Sequence, residues 1–249
     1  MRRAVPQSTR IYAPDALAPG AQLALREAAA HHVSRVLRAA VGDCLVVFND
    51  GMEFPAAIVR IDKHGVTVKL DAGTPVNRES PLPCVLAQAI SSGERMDMTL
   101  QKAVELGIGG VQPLYSERSI VRLDAERTVK RVEHWQQVMI SACEQCGRNA
   151  VPMVATPRPV IDWLSGLPPL RDDELRILLA PGADTRLADL ARPASVTLLA
   201  GPEGGYTDFE ADLARRCGFV ALKLGPRVLR TETAALAALA ALNTQWGDF

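Results

Sequence analysis

The stretch Ser195-Val196-Thr197-Leu198-Leu199-Ala200-Gly201-Pro202-Glu203-Gly204-Gly205-Tyr206 sets the fold class. A short apolar run with β-branched residues breaks at once into a loop with three glycines in five residues. That is a buried strand ending in a loop whose backbone is free to take positive φ and to approach a ligand closely. Its spacing is neither the G-x-G-x-x-G of dinucleotide folds nor a P-loop, because no Gly-Lys-Ser/Thr follows.

The neighbouring segments share this rhythm. Val85 to Ile90, Val111 to Tyr115, Leu175 to Ala180 and Phe219 to Leu224 read as further buried strands. Between them Met96 to Leu106, Ala125 to Cys146, Asp208 to Cys217 and Thr231 to Trp246 read as helices, with Gly107 and Gly147 placed to end the first two. Strands alternating with helices predict a parallel α/β sheet covered on both faces. Ligands of such sheets bind beyond the C-terminal ends of the strands.

The first eighty residues differ. Leu45 to Phe48, Ala56 to Ile61 and Val66 to Leu70 are short β-rich runs divided by Asn49-Asp50-Gly51 and Lys63-His64-Gly65, as in antiparallel hairpins. One helix is expected before them, within Leu23 to Ala40. Residues 72–83 hold three prolines and read as a linker, so residues 1–74 and 75–249 are expected to be separate domains.

The 28 basic and 28 acidic residues cancel, which excludes a polycationic tail but not a local basic face. Arg2 to Arg38 contains six arginines against Asp15 and Glu27. His31, His32, Arg35 and Arg38 form a cluster that suits phosphate contact or simply a solvated helix face. Five scattered cysteines suggest no disulfide framework, and Cys143-Glu144-Gln145-Cys146 lacks the second ligand pair of a zinc site, so packed thiols and no metal are expected. No apolar run reaches the roughly 20 residues of a membrane span, and no secretory signal follows the first basic residues. The chain reads as soluble and cytoplasmic, with no membrane partner.

A second loop, Leu224-Gly225-Pro226-Arg227-Val228-Leu229-Arg230-Thr231-Glu232-Thr233-Ala234, runs from a strand into an Ala-rich helix. Thr231 or Thr233 is placed to cap that helix, and Arg230 stands just ahead of its positive end, where an anion would sit. The residues alone lead to a two-domain α/β ligand-binding protein with a basic N-terminal face.

The sequence resembles the RsmE family, SPOUT-class methyltransferases acting on N3 of a uridine in small-subunit (16S) ribosomal RNA. The likeness lies in Arg10-Ile11-Tyr12, His32 to Arg38, Gly93 to Asp97, Gln101 to Gly107, Glu144 to Arg148 and the two loops. Ser92, Met98 and Cys146 depart from it at positions outside the loops. The resemblance implies a small N-terminal PUA-like β-barrel, then a SPOUT α/β domain with a deep trefoil knot. It implies a homodimer whose partner is small-subunit ribosomal RNA, within the small ribosomal subunit. S-adenosyl-L-methionine would lie against Leu178, Leu179, Ala180 and Pro181, against Gly201, Glu203, Gly204 and Gly205, and against Leu224, Gly225, Arg227, Val228, Leu229, Thr231, Thr233 and Ala234. RNA contacts fall on Arg10, His32, Arg35, Arg38, Arg95 and Lys102. Uracil N3 becomes a nucleophile only on losing its proton, so the site must stabilise a uracil anion. Arg230 is expected to do so, with Arg148 and Gln145 completing the pocket. Ribose 2′-O methylation and a non-catalytic RNA-binding role are the rivals.

Overall fold

The computed structural model describes residues 9–119, 121 and 124–249. Arg2 and Arg3 of the basic stretch lie outside them. The chain forms two compact units: residues up to Glu79 together with Cys143–Val151, and Ser80–Ala142 together with Pro152–Phe249. The boundary expected at 74/75 divides the chain differently, since Cys143–Val151 groups with the N-terminal unit across more than sixty residues of sequence.

The N-terminal unit is a six-stranded sheet of β1 (Arg10–Tyr12), β2 (Gln22–Ala24), β3 (Cys44–Asn49), β4 (Met52–Asp62), β5 (Gly65–Leu70) and β6 (Thr74–Pro75). Its order is β1-β3-β4-β5-β2, with β6 on β4. The β3–β4 turn pairs Asn49 with Met52. It places Asp50 at φ 45° and Gly51 at φ 78°, the two positive values that a right-twisted hairpin needs. Ile11, Leu45, Val47, Phe54, Ile58, Val68 and Leu70 fill the core.

The helix expected within Leu23 to Ala40 is shorter. Gln22–Ala24 pairs antiparallel with β5, so sheet pairing overrides helix propensity there. Helix α1 spans only Glu27–His31 and runs into a π-helical turn over His32–Val36. In that turn Leu37 N–H donates to the His32 carbonyl at 2.9 Å. The turn buries Val33 and leaves His32 and Arg35 exposed, and Arg38 just beyond it is exposed too. The linker reading of residues 72–83 also changes, because Thr74–Pro75 adds an edge strand.

Arg10 has a different setting from the expected phosphate contact. Its guanidinium stacks 4.4 Å from the Phe48 ring centroid and bonds Glu53 Oε1 at 2.5 Å, besides bonding Asn149 Oδ1. Glu53 also accepts from Arg78 at 2.6 Å and from Asn149 at 3.2 Å. Tyr12 N–H donates to Glu144 at 3.1 Å. These bonds attach residues 143–151 to the sheet. Cys143 is fully buried, and burial raises its thiol to about 12, as expected of a packed, unreactive sulfur.

The C-terminal unit is a parallel sheet of β7 (Cys84–Ala89), β8 (Gly110–Tyr115), β9 (Met153–Val154), β10 (Arg158–Pro159), β11 (Glu174–Leu179), β12 (Ser195–Ala200) and β13 (Phe219–Leu222). The order is β10-β8-β7-β12-β11-β13, with β9 on β8. Among the described residues five α-helices accompany it: α2 (Gly93–Glu105), α3 (Ala125–Cys146, whose last turn belongs to the other unit), α4 (Val160–Ser165), α5 (Asp208–Arg216) and α6 (Thr231–Trp246). Central strands such as Cys84-Val85-Leu86-Ala87-Gln88-Ala89 are apolar almost throughout because both sheet faces are covered. Helix α2 ends where Gly107 takes φ 80°, and a Cβ there would meet Ser80 Cβ at 2.9 Å. Among the described residues no helix is long and apolar enough to cross a membrane.

Burial alone would raise the Glu53 carboxyl, but the hydrogen bonds from Arg78, Arg10 and Asn149 outweigh it and hold the group below its ordinary 4.5. A depressed folded pKa stabilises fully above the unfolded value, and that contribution is lost as pH falls through the folded one. Glu53→Gln is therefore expected to cost about 2 kcal/mol at pH 7, the scale of hydrogen bonds to a charged group. It should also flatten the fall of Tm below about pH 4.5, as measured by thermal denaturation across pH 3–7.

Candidate ligand site

Strand β11 pairs with β12 on one side and β13 on the other, all parallel. Their C-terminal ends therefore release three loops on one edge of the sheet: Ala180-Pro181-Gly182, Gly201 to Tyr206, and Lys223 to Arg230. Together they enclose a cavity of about 540 Å³. Small-molecule sites commonly span about 300–1,000 Å³.

The cavity brings together most of the residues singled out in sequence. Leu178, Leu179, Ala180 and Pro181 line one side, Gly201, Glu203 and Gly205 another, and Leu224, Gly225, Arg227, Val228, Leu229, Arg230, Thr231 and Ala234 the third. Arg95 from the first turn of α2 joins them, its Nη1 2.9 Å from Glu203 Oε1. Gly204 and Thr233 are not in the lining. The Gly204 carbonyl instead accepts from Arg118 Nη1 at 3.0 Å, which tethers the glycine loop, while Thr233 is exposed. Gly205 has φ 68° with open space where a Cβ would project, so the backbone lies bare to the cavity.

Neither threonine caps α6 as expected. The cap residue is Arg230, which makes no side-chain capping bond. Thr231 Oγ1 instead donates to the Gly201 carbonyl at 2.5 Å and accepts from Gln88 Nε2 at 3.0 Å. The fully buried Gln88 is the polar exception in β7, and it connects that strand, the glycine loop and the start of α6. The exposed guanidinium of Arg230 lines the cavity and has no partner among the described residues. A cation at the positive end of a 16-residue helix is repelled by that end, so the pair is best satisfied by an anion.

Tyr206, Ala211 and Arg215 also line the cavity and were not singled out. Tyr206 donates from its hydroxyl to the Ala200 carbonyl at 3.0 Å, and burial, then the Glu210 charge, push its pKa well above the usual tyrosine value. Its place directly after Gly205 was the available signal. Ala211 and Arg215 come from α5 and had none. Gln145 and Arg148 lie in the N-terminal unit and do not line this cavity. Arg148 is buried and bonds Glu79 through Nε at 3.0 Å. Lys102 pairs with Glu105 at 2.7 Å on α2. Among the described residues no three His, Cys, Asp or Glu side chains converge on a metal position.

A parallel α/β sheet with a preformed cleft at its C-terminal edge, a bare glycine backbone and a free arginine defines a small-molecule-binding α/β protein. Comparison with known proteins narrows the class. A family model described as an RNA methyltransferase domain matches residues 78–243, and one described as an RNA methyltransferase PUA domain matches residues 25–71. The chain belongs to the RNA methyltransferase family. It is 34% identical to ribosomal RNA small subunit methyltransferase E of Buchnera aphidicola over 100% of this chain and 99% of that protein. The structure of Lpg2936 from Legionella pneumophila, solved with the cofactor SAM bound, superposes with a TM-score of 0.92 at 42% identity, covering 99% of this chain and 100% of that one. Ribosomal RNA small subunit methyltransferase E from Neisseria gonorrhoeae, bound to S-adenosyl methionine, gives 0.88 at 39% identity, covering 97% and 99%.

Replacing the Thr231 hydroxyl by a methyl leaves the Gly201 carbonyl and the Gln88 amide without their shared partner. Thr231→Val is expected to lower stability by about 1–3 kcal/mol in thermal denaturation, while Thr231→Ser stays within about 1 kcal/mol of the parent.

Proposed function

We propose that the protein transfers a methyl group from S-adenosyl-L-methionine to N3 of a uridine in small-subunit ribosomal RNA. The observation that carries this reading is the cavity at the ends of β11, β12 and β13, in a chain nearly coextensive with two SAM-bound structures. Its fit to the cofactor rests on the open backbone at Gly205 and Gly225 and on the apolar walls from Leu178, Leu222, Leu224 and Leu229. The loop backbones would hold the cofactor, and Glu203 offers an acceptor for its cationic or hydroxyl groups. When bound, the cofactor supplies an electrophilic methyl on a sulfonium.

The remaining chemistry belongs to the chain. Uracil N3 carries an imide proton, and its loss spreads negative charge over O2 and O4. In this reading Arg230, which lines the cavity at the N-terminus of α6 and has no carboxylate partner among the described residues, binds that charge. Orientation of N3 towards the methyl supplies the rest. The exposed cluster His32, Arg35 and Arg38 is assigned to RNA phosphates, and Arg95 to RNA beside the cavity. Arg10 and Arg148, held by Glu53 and Glu79, are assigned to fastening residues 143–151 within their unit. In this reading the C-terminal unit carries a deep trefoil knot, and the protein works in the cytoplasm as a homodimer on the small ribosomal subunit.

Nucleoside analysis of small-subunit rRNA after incubation with enzyme and S-adenosyl-L-methionine should yield 3-methyluridine; a 2′-O-methylated nucleoside would defeat the reading. Gly205→Val, which fills the bare cradle, is expected to abolish cofactor binding in calorimetry while far-UV circular dichroism stays as in the parent.

Arg230→Ala is expected to lower kcat about a hundredfold or more with little change in cofactor affinity. Part of the rate should return at high pH, where more uracil is already ionised. Arg230→Lys should restore activity only in part, since a point charge lacks the planar fork. Normal turnover in Arg230→Ala would remove it from the chemistry.

A further inference from the structure

We propose that a second, smaller cavity between the β7–α2 turn and α3 seats one backbone phosphate of the RNA substrate, an inference that rests on the methyl transfer to RNA proposed above. The cavity measures about 50 Å³ and is walled by the β7–α2 segment (Ile90, Ser91, Gly93, Met96), Val121, and Arg131 and Trp135 of α3. One water needs only about 10–15 Å³ of such space, so the room suits a cluster of waters or one tetrahedral oxyanion.

Its polar groups favour the anion. Ser91 is 3% and Trp135 2% exposed, yet Ser91 Oγ and Trp135 Nε1 have no hydrogen-bond partner among the described residues. Buried polar groups in folded proteins are nearly always satisfied, so both atoms call for a ligand. The indole nitrogen can only donate, the hydroxyl can donate, and Arg131, one helical turn before Trp135, adds a guanidinium. Ser92 at the N-cap of the 13-residue helix α2 makes no side-chain capping bond, and Gly93 and Met96 of that helix's first turn line the cavity, which puts its positive end beside it. Among the described residues no carboxylate lines the cavity; Asp97 on α2 bonds His134 through Oδ2 at 2.8 Å, while its buried Oδ1 has no partner and lies outside the lining. A cation, a hydrogen-bonding pair of neutral donors and a helix N-terminus together form an oxyanion site.

The position selects RNA over a free ion. Strand β7 lies beside β12, whose loop walls the cofactor cavity. The first turn of α2 divides the two cavities: Arg95 lines the larger, Gly93 and Met96 the smaller. A nucleotide strand passing over that turn can present a base to one and a phosphate to the other.

Equilibrium binding of a small-subunit rRNA transcript to the full chain, measured against salt, tests the site. Arg131→Gln should weaken RNA binding about tenfold and reduce the salt slope by about one phosphate contact. Ser91→Ala and Trp135→Phe should each weaken it several-fold with the slope unchanged, because both groups are neutral. Affinity for S-adenosyl-L-methionine should stay within about twofold of the parent in all three. Unchanged RNA affinity in Ser91→Ala and Trp135→Phe overturns the proposal, even if Arg131→Gln is impaired, since that pattern puts the charge on the open surface. Inorganic phosphate that shifts Trp135 fluorescence while RNA affinity is indifferent to the variants also overturns it, by making the occupant a free ion. Should Trp135→Phe lose cofactor binding, Ser91→Ala decides. A parent protein that neither binds the cofactor nor methylates RNA defeats the proposed function, an outcome separate from all of these.

Discussion

The parallel pairing of β11 with both β12 and β13 is the constraint on which the site depends. Parallel neighbours point their C-terminal ends the same way, so the loops after Leu179, Ala200 and Leu222 must emerge side by side. Antiparallel pairing at either position would send one loop to the opposite edge and open the cavity. The apolar strands Glu174–Leu179 and Ser195–Ala200 are buried between helices, and that burial holds the register.

On that frame, a few polar contacts shape the cavity. Thr231 takes a proton donor from Gln88 and gives one to Gly201, so a central strand, the glycine loop and α6 share one hydroxyl. Arg118 and Tyr206 hold the same loop from other sides, through the Gly204 and Ala200 carbonyls. The glycine backbone is thus mobile in principle but fixed in place, which lowers the cost of binding a ligand there. Among the described residues the Arg230 guanidinium has no partner, and it stands at the end of a helix that repels it. That arrangement costs stability in the free protein and favours any bound group carrying negative charge.

Arginine serves opposite purposes within the N-terminal unit. In the N-terminal unit Arg10 and Arg148 are turned inward, against Glu53 and Glu79, and fasten the segment after α3. The exposed Arg35 of the π-helical turn and Arg38 just beyond it face solvent. A residue type therefore says little about its task until its partner is known. Glu53 lies 43 residues from Arg10 and Asn149 lies 139, separations at which no local pattern operates.

Much of this protein could be read along the chain, because the signals were local. The ranges of α3, α6 and β12 follow from apolar runs and from Gly147 and the glycine loop, and the two ligand loops announce themselves by composition. Boundaries failed where pairing with a distant strand decided the conformation, as for Gln22–Ala24 on β5 and Thr74–Pro75 on β4. The capping role expected of Thr231 failed for the same reason, since its partners Gln88 and Gly201 are 143 and 30 residues away. By itself the sequence determined the main strands and helices of the parallel sheet, their alternation and the composition of the two loops, since period, propensity and glycine content act within a few neighbours. Only the tertiary structure decided which arginines are free, which polar atoms are left unsatisfied and which loops share one cavity, because burial and partnership arise from contacts between residues far apart in the chain.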